Sequence, residues 1–239
     1  MRALCILMAV FLTVFGGCDN NNVDSNQEIS AQKVHESKQP QTASAGNKDG
    51  QGINTELNNQ DQVKSDSFKP FYVYQDKGSR ENHYIPSGFM PNGKCVYLDD
   101  KWQEQCNSGT TCMRLEYDVE CSRKDQKWAG IYWLNPPNNW GQRKGGYNLV
   151  GASKLTFWAK GQDGGEQIQE ITVGGITGDY PDTDTAVIGP VILSTEWKKY
   201  SIDLRGKDLS YISGGFAWTT SEDVNGDTCV FYLDEIRFE

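Results

Sequence analysis

The sequence predicts an all-β fold, a two-sheet antiparallel sandwich of the jelly-roll kind, over residues 67–239. Three observations point there. The apolar runs in this region are short, and several alternate strictly. Clusters of Gly, Pro, Asn and Asp separate them. No stretch repeats with the 3.6-residue period of a helix. Many short strands between turn signals are the pattern of sandwiches and jelly rolls.

The strands follow in order. Thr111–Glu120, Leu155–Lys160, Glu170–Ile176, Val187–Leu193, Tyr200–Leu204, Gly215–Thr219 and Val230–Phe238 all read as extended. Asn107-Ser108-Gly109, Asn135-Pro136-Pro137-Asn138-Asn139, Asp163-Gly164-Gly165 and Asn225-Gly226-Asp227 punctuate them. Period-two alternation puts Leu155, Phe157 and Ala159 on one face, and Thr156, Trp158 and Lys160 on the other. Trp158 therefore stands among polar neighbours. By the same rule Trp218 shares a face with Phe216 and reads as core. Trp197, just before a strand, reads as a cap on the core, and Trp102 as a rim residue.

The whole chain has 239 residues, with 23 Lys+Arg against 32 Asp+Glu, a formal charge of −9. Nucleic-acid binders gain affinity from basic surfaces, so nucleic acid is not an expected partner. A mean hydropathy of −0.64 excludes a multi-span membrane protein. Two His residues leave little room for a multi-His metal site.

The N-terminus reads as a targeting segment, residues 1–17. Arg2 precedes an apolar or small stretch from Ala3 to Phe15. Thirteen residues suit a signal peptide and fall short of the ~20 that span a bilayer. Gly16-Gly17-Cys18 then resembles the bacterial lipoprotein signal. That resemblance implies cleavage before Cys18, lipidation of Cys18, and a lipid-anchored place in the bacterial cell envelope, with the membrane and leaflet left open. Residues 18–66 follow as the lipidated Cys and an Asn/Gln-rich linker without a single Phe, Tyr or Trp. Such a composition buries too little apolar surface to offset its ordering entropy. As a random coil the tether would span on the order of 40 Å.

Export implies an oxidising compartment, so disulfides are expected. Cys106 and Cys112 flank a turn-like pentapeptide and form the favoured pair; Cys95 with Cys121 is the second. Cys229 is then left over. No CxxC motif suggests zinc.

Several segments together resemble the galactose-binding-like jelly rolls that serve as carbohydrate-binding modules in secreted bacterial proteins. They are Trp128-Ala-Gly-Ile-Tyr132-Trp133, Asn138-Asn139-Trp140-Gly141, Gly151–Gly161, Glu196–Leu204, Gly214–Trp218 and Phe231–Ile236. The resemblance covers about residues 68–239. It implies two antiparallel sheets, glycan binding without cleavage, a monomer, and often a structural calcium. Sugars present flat CH faces that aromatic rings stack on, while polar side chains fix hydroxyls. Tyr132, Trp133, Asn139, Trp140 and Arg143 supply both within one short stretch, and Trp158 adds a further ring. The competing reading packs Trp133 and Trp140 into the sandwich. For calcium the resemblance points to Asp234 in the last strand, facing the first strand and the loop after it, where Asp76 and Asn82 offer oxygens. Alternation puts Asp234 on one face with Tyr232, Ile236 and Phe238, a face that reads as buried. Arg80 is the alternative partner for its charge.

Two other functions stay open. Glu116, Asp118 and Glu120 alternate, and resemble the catalytic strand of laminarinase-type glycoside hydrolases, where two carboxyls stand about 5 Å apart. Glu116 and Glu120 would then be the catalytic pair. A structural or adhesion lipoprotein with all aromatics in the core is the third reading.

Overall fold

The computed structural model describes residues 68–91, 93–124 and 126–239. Cys18, the signal segment and the linker with His35 lie outside the described residues. In chain order the elements are β1 (Phe71–Tyr74), β2 (Ile85–Met90), β3 (Val96–Trp102), β4 (Cys112–Tyr117), α1 (Val119–Ser122), β5 (Trp128–Leu134) and β6 (Lys154–Gly161). They continue with β7 (Gln167–Ile168), β8 (Glu170–Gly174), β9 (Thr185–Ile188), β10 (Val191–Ile192), β11 (Lys198–Asp203), β12 (Gly214–Ser221) and β13 (Cys229–Phe238).

Two antiparallel sheets result. The first runs β11-β6-β13-β4-β3. The first half of β13 pairs with β4, and β1 takes over where β4 ends, at Tyr74↔Ile236 and Phe71↔Phe238. The second sheet runs β2-β5-β12-β8-β9, and β7 and β10 form a small ribbon. Facing aromatics join the layers. Phe157 of β6 meets Phe216 of β12 edge to face at 5.6 Å. Phe231 of β13 meets Trp218 at 4.9 Å, and Trp133 of β5 packs on Phe216 at 5.4 Å.

Local chemistry explains where strands stop. The strand expected over Val187–Leu193 breaks at Gly189-Pro190, because proline has no N–H to give the ladder. Its second half instead pairs with β7. The strand expected through Glu120 ends at Tyr117. Asp118 then caps α1, its side chain accepting from the Cys121 N–H at 3.0 Å. Glu116 and Glu120 therefore do not share a strand face, and the hydrolase arrangement is not formed. Glu116 pairs with Arg114 at 2.9 Å, and Glu120 pairs with Arg123 on the helix. Both expected disulfides, Cys95–Cys121 and Cys106–Cys112, are present, and Cys229 is a buried free thiol.

A bulge in β13 reverses one expectation. Glu235 has φ of 50°, and the register with β6 shifts between Asp234 and Arg237. Ile236 and Phe238 face the core, whereas Asp234 stands opposite Trp158 on the outer face. One extra residue in a strand inverts the alternation beyond it.

Candidate functional site

Strand register assembles one face from five distant segments. On the outside of the first sheet Lys160 of β6 lies beside Tyr232 of β13, and Tyr232 beside Arg114 of β4. The row on one side carries Lys199, Trp158 and Asp234. On the other side lie Val230, Glu116 and Tyr97. Trp102, at the end of β3, leans over this row with its ring 6.1 Å from Tyr232. The Arg114 guanidinium sits 5.7 Å from the Trp102 ring centre. Across the sheet, the Lys160 ammonium lies 4.9 Å from the Tyr232 ring and 5.5 Å from that of Trp197. Aromatic and cationic groups thus alternate across the strands, each cation resting on ring quadrupoles.

The loop between β3 and β4 forms one wall of this face. The Gln105 carbonyl accepts from Trp197 Nε1 at 2.8 Å, and its Oε1 accepts from Lys160 Nζ at 3.3 Å. Trp102 Nε1 donates to the Glu104 carbonyl at 3.0 Å. Both indole N–H groups are thereby satisfied internally, and what the rings offer outward is apolar surface. Carboxylates hold the loop. Ser108 N–H donates to Asp234 Oδ2 at 3.0 Å, and the amides of Thr110 and Thr111 donate to Asp76 Oδ1 at 2.7 and 2.8 Å. Burial pushes the Asp234 carboxyl up to about 7, against the opposing pull of the Ser108 and Glu235 amides.

The residues expected to hold calcium have these partners in the structure. Asp76 and Asp234 face different amides of the same loop. Asn82 closes a turn, its Oδ1 accepting from Gln75 N–H and its Nδ2 donating to the Asp76 carbonyl. The Asp234 carboxylate takes the Ser108 and Glu235 amides rather than Arg80. Among the described residues no three His, Cys, Asp or Glu side chains gather as a metal site.

The six residues expected to bind sugar do not form one cluster. Trp133 is 1% exposed and packs on Phe216, so it belongs to the core. Asn139 is equally buried, and its amide clamps the backbone of Arg143 from both ends, at 2.8 and 3.2 Å. Tyr132 and Trp140 do meet, edge to face at 5.7 Å on the outside of the second sheet. The Tyr132 hydroxyl donates to the Gly174 carbonyl at 3.2 Å; burial, with Asp182 and Glu170 nearby, pushes it up to about 12. Arg143 is exposed and binds the Pro137 carbonyl at 2.7 Å. Trp158 does lie on an outer face, but that of the other sheet.

Arg114, Lys160, Tyr232 and Gln105 join this face beyond the residues expected from the sequence, and Trp197 lies half-buried on it with its indole bonded to the β3–β4 loop. The alternation that marked Trp158 also marks Lys160, and the one that buries Phe231 and Leu233 turns Tyr232 outward. Pairing between these strands is what the sequence does not state.

No protein-family model matches the chain, and neither does any curated protein. Solved structures similar to it are carbohydrate-binding modules. A family 30 module of a cellulosomal cellulase of Clostridium thermocellum is 17% identical, with 72% of this chain and 97% of that chain covered and a TM-score of 0.46. A second family 30 structure is 18% identical over 71% of this chain and 87% of that one, at a TM-score of 0.45. A family 11 module from the same organism is 14% identical over 60% and 80%, at 0.39.

Proposed function

We propose that this domain binds a polysaccharide chain, without cleaving it, along the outer face of the first sheet. The observation that carries the reading is the row Trp102, Tyr232, Lys160 and Trp197, with Arg114 beside it. Stacked apolar rings with donors set between them suit a sugar ring, which presents CH faces and equatorial hydroxyls at once. Glu116 of that face is tied to Arg114 and has no second carboxyl on its strand. Trp158 extends the face toward Lys199.

In the cell, we propose further, Cys18 carries a lipid and residues 19–66 tether the domain to the bacterial envelope. Palmitate labelling that persists in Cys18→Ala would refute the anchor. For the site, affinity electrophoresis of the full chain through a panel of immobilised polysaccharides is the test. Retardation by at least one polymer, lost in Trp102→Ala or Trp197→Ala and kept in Trp140→Ala, is expected, with no reducing ends released. Retardation that survives both tryptophan replacements, or that only Trp140→Ala removes, would move the site to the second sheet.

A further inference from the structure

The charge balance of the same face narrows the ligand. Lys160 is 8% exposed, and no carboxylate of the described residues lies within ion-pair distance of it. Other cations of this sheet have one: Arg114 pairs with Glu116, Lys154 and Lys199 with Glu239, and Arg237 with Glu235. Lys101 and Lys198 have none among the described residues, but both are exposed to water, as Lys160 is not. Lys160 has two ring faces and a single amide oxygen, that of Gln105, at 3.3 Å. Gln105 itself is exposed, on a loop. A desolvated ammonium without a counter-charge is costly, and ring faces compensate it only in part.

Resting on the reading above, we infer that the polysaccharide is anionic, with a carboxylate or sulfate group that takes the place of the Gln105 amide on Lys160. The rings of Trp197 and Tyr232 flank the ammonium, with Trp102 beyond Tyr232, so the sugar stacks while its acidic group meets the ammonium. The chain as a whole carries −9. General electrostatics would repel such a ligand, and the local cation is what admits it.

The test compares polymers that differ only in charge. The full chain is titrated calorimetrically with polygalacturonate and with its methyl ester, and with a sulfated galactan and its desulfated form. The charged form of one pair is expected to bind at least about tenfold more tightly than its neutral partner, as a charge-assisted contact implies. That margin should shrink as salt screens the pair, vanish in Lys160→Gln and persist in Lys160→Arg. The arm that shows it tells uronate from sulfate. Equal or tighter binding of the neutral forms overturns the inference and leaves polysaccharide binding standing, as does a charge preference untouched by Lys160→Gln. The comparison of polymers needs no variant, so it decides even where a substitution unfolds the domain. Absence of binding to all four polymers, and to the wider panel, by a chain whose circular dichroism is native removes both.

Discussion

The outer faces of the two sheets are built from similar residues and differ in what holds them. On the first sheet, Trp102 and Trp197 have their indole N–H groups bonded to loop carbonyls, and a cation sits against the rings. On the second, Trp140 rests edge to face on Tyr132, above Gly88, where a Cβ would come within 2.8 Å of Tyr132. No cation–ring pair is found there among the described residues. The first arrangement leaves ring faces beside polar groups; the second is a ring tucked down on small residues. The proposal therefore rests on more than the exposure of an aromatic ring, since Trp140 is exposed too. What distinguishes the first face is the set of neighbours that fix the orientation of its rings and add polar contacts.

That contrast can be broken in several ways. The largest effect concerns Trp133, which adjoins Tyr132 in sequence yet faces inward. Trp133→Ala should cost about 3–5 kcal/mol of stability, as for other core aromatics. Chemical denaturation measures it, and a loss under ~1 kcal/mol would put the ring outside the core.

Next comes the carboxylate beneath the first face. Asp234 has its folded value raised to about 7 from an ordinary 3.8. The folded state therefore holds this proton more tightly than the unfolded one. Its contribution is complete below about pH 4 and is lost as pH rises through 7, a fall of up to about 4 kcal/mol. Melting curves of the wild type and Asp234→Asn across that window should converge at low pH and separate at high pH, the variant being the more stable there. Parallel curves would mean that Asp234 is ionised at no cost.

Smaller still is the effect on ligand binding. Trp197→Ala should weaken polysaccharide binding by about 1–3 kcal/mol, as for other aromatic anchors. Trp140→Ala should change it by less than about 0.5 kcal/mol. Side-by-side titrations of the two variants set the faces against each other, and equal losses would erase the difference between them.

Much of the fold is legible in the chain because alternation and turn residues are local. Leu155–Ala159 announces which side is core, and the pentapeptide between Cys106 and Cys112 announces its own closure. Other features depend on backbone events that composition does not mark. The positive φ at Glu235 turns Asp234 away from Ile236 and Phe238, and no Gly or Asn signals it. Trp133 could have been placed, since it alternates with Ala129 and Ile131 and so shares their inward face. The proposed binding row draws on Trp102, Arg114, Lys160, Trp197 and Tyr232, which only the order β11-β6-β13-β4-β3 makes neighbours.

The closed loop between β3 and β4 has a kinetic consequence. Cys106–Cys112 shuts its base, while Asp76 and Asp234 hold its amides, so the loop backbone and the indole bonded to it are in position before any ligand arrives, and only the exposed Gln105 side chain has to swing aside. Ordering of that wall is completed during folding, and encounter with a polymer need not wait for it. Association should then run at the rate set by diffusion and orientation, about 10⁵–10⁷ M⁻¹s⁻¹ for macromolecular docking without rearrangement, so differences between polymers would be expressed as residence times.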